Sequence, residues 1–245
     1  DHRYLHSFPT RRSSDLLVTG AARGIGRATV DALLAAGLRV IALDRDFEGG
    51  KLVASGPLEL VRQDLVDLAA IAPRVAALGR IDVLVNNAGV QNGLPIERYT
   101  EEARTRLLRV NLEAPVELIR SVAKQMVERR SGRIVNLTSV AAYMAHQDIW
   151  YGVSKAGIVS FTRSFAALLG PHGVQVNAVA PGPIETDMLR RAAAPERREQ
   201  LLKAAYSKRA GRPDEVAGVI RWLVTEAPVL LNGAVIDVTD GSFLR

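Results

Sequence analysis

Tyr151 and Lys155 stand four residues apart in the run Tyr151-Gly152-Val153-Ser154-Lys155. On a helix, positions i and i+4 share a face, so this spacing sets an ammonium beside a phenol. A cation that close, joined by a cationic cofactor, favours the phenolate and lowers the tyrosine pKa from its ordinary value of about 10. The phenol then becomes a proton donor or acceptor usable near neutral pH. Tyrosine and lysine at this spacing are also common surface neighbours, so the chemistry depends on what else the chain brings to them. Upstream, the strand-like run from Arg133 to Thr138 delivers Ser139. Between Ser139 and Tyr151, an apolar loop carries Tyr143, Met144, His146 and Trp150, candidate walls of a substrate pocket. Of these, His146 titrates near neutrality and is a second candidate for acid–base work.

The elements that must position these groups begin with Leu16-Leu17-Val18, a short apolar strand. It runs directly into Thr19-Gly20-Ala21-Ala22-Arg23-Gly24-Ile25-Gly26. Apolar residues then recur at Ile25, Val30, Leu33 and Leu34, the period of a helix lying on a sheet, until Gly37 ends it. A second strand follows from Leu38 to Leu43. In this order, Gly20 and Gly24 permit a tight turn and close approach of a pyrophosphate. Gly26 lets the helix sit against the sheet with its N-terminus toward the anion. Asp44, 24 residues after Gly20, ends the second strand and can accept hydrogen bonds from ribose hydroxyls while repelling a 2′-phosphate. Arg23 and Arg45 pull the other way. Asp44 stands where the ribose belongs, so NAD(H) is expected in preference to NADP(H).

The segment from Phe47 to Pro57 is too short for a full crossover helix, and Leu58 to Val61 reads as the third strand. Asp64-Leu65 then lies where an adenine would rest, with Asp64 as acceptor. Helical spacing occupies residues 67–78. The buried parallel strand Ile81 to Val85 ends in Asn86-Asn87-Ala88-Gly89, on the edge of a doubly wound sheet where ligands sit. The two asparagines are expected to fix backbone there. A long helix, Leu108 to Arg129, carries Asn111 among apolar neighbours, which implies a dedicated polar site or a bound water. The Tyr151 helix continues through Phe161, Phe165 and Leu168 and stops at Gly170-Pro171. A strand from Val174 to Val179 leads to Pro181-Gly182-Pro183-Ile184-Glu185-Thr186, again on the ligand side. Thr186 either donates to the cofactor or caps the next helix. Residues 187–208, charged and amphipathic, suit a mobile cover over the site. A further helix opens at Arg212-Pro213, and Ala234 to Val238 supplies the last strand.

The totals exclude several other functions. There is no cysteine, hence no thiol nucleophile or cysteine-bound metal, and the four histidines are scattered, so no metal site is expected. No apolar run is long enough to span a membrane. The net charge of +6 comes from basic residues interspersed with acids, the pattern of a solvated surface and not of a nucleic-acid-binding stripe. Residues 1–15 fit neither strand nor amphipathic helix and lack a signal-peptide core. The peptide through Leu16 resembles the translation of a sequencing adapter, so this leader is expected to be non-native and poorly ordered. It holds three arginines and two aspartates, and without it the charge is +5.

Taken in order, Thr19-Gly20-x-x-x-Gly24-x-Gly26, Asn86-Asn87-Ala88-Gly89, Asn111, Ser139, Tyr151-x-x-x-Lys155 and Pro181-Gly182 resemble the classical short-chain dehydrogenase/reductase family. The resemblance covers essentially residues 16–241. It implies a single α/β domain, a three-layer doubly wound parallel sheet of Rossmann type, and an NAD(P)-dependent oxidoreductase that forms a homodimer or homotetramer in the cytoplasm. Under it, Tyr151 is the general acid in ketone reduction and the base in alcohol oxidation, with the hydride passing from the B face. Lys155 lowers the pKa of Tyr151 and holds the nicotinamide ribose, Ser139 donates to the substrate oxygen, and Asn111 holds a water of the proton relay. The cofactor would rest on Gly20, Arg23, Gly24, Ile25, Gly26, Asp44, Asp64, Leu65, Asn87, Ala88, Gly89, Tyr151, Lys155, Pro181, Gly182, Ile184 and Thr186.

Three departures accompany the resemblance. Ser139 precedes Tyr151 by twelve residues, one fewer than is common in the family, so Thr138 is the alternative hydroxyl. The family's Val-Asp-Gly-Gly appears as Val238-Thr239-Asp240-Gly241. The short link after Asp44 is similar to NAD-linked dihydrodiol and dihydroxybenzoate-type dehydrogenases. An NAD(H)-dependent secondary alcohol dehydrogenase or ketone reductase is therefore expected, the alternative being an NADP(H)-dependent reductase of 3-oxoacyl thioesters on acyl carrier protein.

Overall fold

The computed structural model describes residues 15–48, 52–192 and 195–244. Residues 1–14 of the leader, and part of the link after Asp44, lie outside the described residues. Among the described residues, seven parallel strands form one sheet in the order β3-β2-β1-β4-β5-β6-β7. They are β1 (Asp15–Thr19), β2 (Arg39–Asp44), β3 (Leu58–Arg62), β4 (Val83–Asn86), β5 (Gly132–Leu137), β6 (Val174–Pro181) and β7 (Val235–Val238). Asp15 belongs to the sheet and not to the leader. Its amide donates to Asp82 and its carboxylate pairs with Arg39 at 2.6 Å, which fixes the start of β1.

Helices cover both faces: α1 (Gly24–Ala35), α2 (Ile71–Leu78), α3 (Glu101–Leu108), α4 (Ala114–Glu128), α5 (Ile149–Leu169), α6 (Asp187–Ala192), α7 (Pro195–Ala204) and α8 (Pro213–Thr225). Successive side chains of a strand point to opposite faces, so each buried strand feeds two cores. Leu16, Val18, Val40 and Ala42 enter one core with Val30 and Leu33 of α1 and Val216 and Ile220 of α8. Leu17, Ile41 and Leu43 enter the other with Val75 of α2, Leu118 and Val122 of α4, and Ala166 of α5. Near-continuous apolar strands follow from this two-sided burial.

The long helix expected over Leu108 to Arg129 is in fact two. Thr100 caps α3 by accepting from the Ala103 amide at 3.1 Å, so the helical run begins at Glu101. A five-residue π-helix, Arg109–Glu113, then joins α3 to α4 and contains the fully buried Asn111. Strand order reverses between β1 and β4, both of which pair with each other and with partners on opposite sides. Such a reversal opens a crevice at the carboxyl ends of the strands, and there the glycine turn after β1 faces Asn86-Asn87-Ala88-Gly89 after β4.

Candidate active site

The glycine turn is a cradle from which side chains are excluded. Gly20 and Gly24 have φ of +63° and +56°, and a Cβ on Gly20 would come within 2.8 Å of Ala88 Cα. A Cβ on Gly26 would overlap the Gly20 carbonyl. Ile25 lies between them in the first turn of α1, where Arg23, the residue at the N-cap, gives no side-chain cap, so the turn's amides remain available to an anion. Asn87 pins the cradle, donating from Nδ2 to the carbonyls of Thr19 at 2.9 Å and Gly20 at 3.1 Å. Asp44 closes its far side. One carboxylate oxygen accepts the Ala22 amide at 2.9 Å and the other the Asp46 amide at 3.2 Å. These features fit a dinucleotide pyrophosphate and adenosine ribose.

Beyond Asp44 a recess of about 650 Å³ is lined by Arg45, Asp46, Glu48, Arg62, Gln63, Asp64 and Asp67. None of its walls belongs to the Ser139–Lys155 stretch. Arg23 reaches Asp46 at 3.6 Å, while Arg45 is exposed. Asp64 accepts from the Val66 amide at 3.0 Å, and Leu65 beside it is buried.

Asn111 clamps the other end. Its Oδ1 accepts from Val90 N at 2.8 Å, and its Nδ2 donates to Val90 O at 2.9 Å and to Ser154 Oγ at 3.2 Å. A Cβ on Gly89 would lie 3.6 Å from both Asn111 Oδ1 and Lys155 Nζ, so Gly89 sits where the π-helix and α5 converge. Asn86 bonds Asn136 across the sheet, a structural pairing.

The two hydroxyls at the end of β5 separate cleanly. Thr138 Oγ1 donates to the Lys155 carbonyl at 2.7 Å, buried within the fold. Ser139 accepts the Ala141 amide and engages the Tyr151 hydroxyl. Lys155 Nζ donates to Leu137 O at 2.8 Å and lies 5.5 Å from the Tyr151 ring centroid. Burial lowers its pKa to about 8. The depression expected of Tyr151 belongs to a site holding the cationic cofactor; the protein's own groups shift the phenol upward. Burial pushes the phenol up to about 12, Ser139 draws it back, and the Asp148 carboxylate adds to the rise. The spacing reveals the pair of groups but not their burial, and desolvation outweighs a neighbour whose own proton is loosened.

Asp148, which the spacing of chemical groups did not single out, is fully buried. It caps α5 by accepting the Tyr151 amide at 3.0 Å, and it binds Tyr99 Oη. A capping Asp before an apolar helix is the one signal the sequence carried for it. His146 packs its ring 5.2 Å from that of Tyr151. Its Nδ1 meets the Asp148 backbone at 3.1 Å, and its Nε2 lies 3.4 Å from Gln91 Nε2. Tyr143 stacks on Phe243 at 5.7 Å, and Trp150 packs with Tyr99 and Tyr151. Pro181 ends β6, and Gly182 donates its amide to Val238 O at 3.0 Å. Ile184 is buried and bridges Gly211. Thr186 takes the capping position ahead of α6, accepting the Leu189 amide at 3.5 Å, and its methyl lies over Gly24.

A family model described as enoyl-(acyl carrier protein) reductase matches residues 20–242. A 3-oxoacyl-[acyl-carrier-protein] reductase of Synechocystis sp. is 38% identical over 239 residues, 92% of this chain and 95% of that protein. The chain belongs to the classical short-chain dehydrogenase/reductase family. Among solved members of the family, a 3-oxoacyl-[acyl-carrier protein] reductase from Brucella melitensis with bound NAD superposes with a TM-score of 0.84 at 32% identity. That match covers 97% of this chain and 94% of the other. A putative 2-deoxy-D-gluconate 3-dehydrogenase from Agrobacterium tumefaciens with bound NADP gives 0.86 at 27% identity, covering 96% and 98%. The protein is thus an NAD(P)(H)-dependent oxidoreductase acting between a CH–OH group and a ketone. Among the described residues no helix is long and apolar enough to cross a membrane.

Proposed function

We propose that this oxidoreductase reduces the ketone of a 3-oxoacyl thioester carried on acyl carrier protein, and that it takes NADH in preference to NADPH. The observation that carries the proton chemistry is the convergence of Ser139, Tyr151 and Lys155 at the sheet edge where the glycine cradle opens. Relatives named as 3-oxoacyl-[acyl-carrier-protein] reductases favour the thioester over other secondary alcohols, although the latter remain a second substrate class for the same site. Asp44 favours NADH: its carboxylate is held toward the cradle by two backbone amides and would repel a 2′-phosphate.

When bound, the nicotinamide ring supplies or accepts the hydride. Ser139 donates to the ketone oxygen and stabilises the charge that grows there. Tyr151 delivers its phenolic proton to the same oxygen; in alcohol oxidation it takes the proton back. Lys155, anchored on Leu137 O, presents its charge to the phenol and to the nicotinamide ribose. Asn111 spends its amide on Val90 and Ser154, leaving one Oδ1 lone pair for a relay water. Asn87, Ala88 and Gly89 shape the crevice floor, and Pro181, Gly182, Ile184 and Thr186 its opposite wall. The helices α6 and α7 form a cover, clipped by Glu185 to Arg190 and Arg198.

Ile149, Val153 and Leu168 leave apolar side chains exposed along α5, which supports self-association into a dimer or tetramer, and a cytoplasmic setting matches the thioester substrate. Light scattering of the purified protein tests the assembly. For the activity, NADH and NADPH are offered with 3-oxoacyl thioesters and with a panel of cyclic and aromatic ketones. The proposal expects thioester reduction with NADH and its loss, by about a hundredfold or more, in Tyr151→Phe. Wild-type turnover in that variant would refute the proton assignment, and turnover confined to small ketones would refute the thioester.

A further inference from the structure

A buried carboxylate lies beside the proposed proton-transfer site without a part in the chemistry just described. Asp148 has no solvent exposure, and its two oxygens receive four donors. Oδ1 takes the Tyr151 amide at 3.0 Å and the Tyr99 hydroxyl; Oδ2 takes the amides of Asn92 and Gly93, each at 3.1 Å. All four groups donate, so only the carboxylate form accepts them all. Two of the donors belong to the loop that follows Gly89, and Tyr99 stands just before α3. A single α5 cap would need only one bond; the other three reach 49–56 residues away in sequence.

We propose that Asp148 is a positioning residue, tying the 92–99 segment to the first turn of α5 and thereby fixing the wall of the substrate site against Tyr151. The inference rests on the reading of Tyr151 as the proton-transfer group. Val90, Tyr99 and Trp150 pack with Tyr151 in one apolar cluster, so a shift of the segment would move the pocket wall directly. Asp148 also acts through its charge, which opposes ionisation of the phenol. The other polar groups facing Tyr151 are Ser139, Lys155 and His146. Facing Asp148 are Tyr99 and, through its backbone, His146. Arg104, bound to Glu101 at 3.5 Å, lies over the far neighbour Trp150.

The test compares Asp148→Asn, Asp148→Ser, Tyr99→Phe and Tyr151→Phe in the full chain. Asp148→Ser keeps a helix cap but loses charge and tether, so it stands in where Asp148→Asn does not fold. Both substitutions should move the pH–rate profile of alcohol oxidation to lower pH by roughly half a unit or more, because the phenol ionises more readily once the negative charge is gone. Tyr99→Phe keeps charge and cap. It should raise the KM for the ketone about fivefold, the worth of one hydrogen bond, with NADH binding by fluorescence unchanged. Profiles of both Asp148 variants that superimpose on wild type would overturn the charge effect, and an unchanged KM in Tyr99→Phe would overturn the tether. Either result alongside an inactive Tyr151→Phe defeats this inference alone, whereas an active Tyr151→Phe defeats the reading beneath it.

Discussion

Adjacent hydroxyls at the end of β5 face different partners, and substitution should separate them. Thr138→Val removes the donor to the buried Lys155 carbonyl and should cost about 1–2 kcal/mol of stability, read as a lowered midpoint in urea. Ser139→Ala should leave that midpoint nearly unchanged while lowering turnover about 10²–10³-fold, as loss of an oxyanion donor does. The reverse pattern, an inactive Thr138→Val with a fully active Ser139→Ala, would exchange the two assignments. At this scale the sequence shows which chemical groups are available, and Ser139 over Thr138 is the assignment these two substitutions test. The sequence does not show how deeply a group is buried. Tyr151 and Lys155 read as a pair that, with a cationic cofactor, lowers the phenol pKa; among the protein's own groups desolvation is the largest influence on both. Of Asp148 only the capping position was legible, for a related reason: three of its four bonds come from segments far along the chain.

Elements were legible where their period was regular. Apolar runs and the glycine punctuation place β1, α1 and β2 within a residue or so of their observed limits, because two-sided burial dictates the residue types there. The π-helix at Arg109–Glu113 has no such signature. It widens one turn so that Asn111 can reach both backbone groups of Val90, a demand set by a partner 21 residues away. Asn111→Ala should therefore strand the Val90 amide and carbonyl inside the protein and destabilise it by about 2–4 kcal/mol; a change under 1 kcal/mol would mean that water replaces the amide readily. The glycine turn makes a second demand on its element. Gly26→Ala would drive a methyl into the Gly20 carbonyl and the Asn87 amide, forcing α1 off the sheet. We expect a loss of about 1–3 kcal/mol together with loss of NADH binding in a fluorescence titration. Retained binding would show that the turn can yield without opening the cradle.

The sheet order follows from alternating strands and helices, since parallel strands need crossovers of one hand and the reversal between β1 and β4 must open a crevice. What belongs to the molecule as a whole, and not to any motif, is the balance of its buried charges. Lys155 titrates at about 8 in the folded protein against an ordinary 10.5, so between those values the unfolded chain binds more protons and stability rises with pH. Below about 8 both states are protonated, and the cost of burying the ammonium is present in full. Tyr151 acts oppositely. Its folded value of about 12 exceeds 10.0, so between them the folded state holds the extra proton and stability falls as pH rises. The stability profile of the cofactor-free protein should climb from about pH 8 and turn over above about pH 10. Lys155→Met should flatten the climb, of order 1–3 kcal/mol, and Tyr151→Phe should remove the corresponding descent. Urea midpoints measured from pH 7 to 11.5 for the three proteins decide it; a Lys155→Met profile parallel to wild type would mean that the ammonium finds water in the folded state.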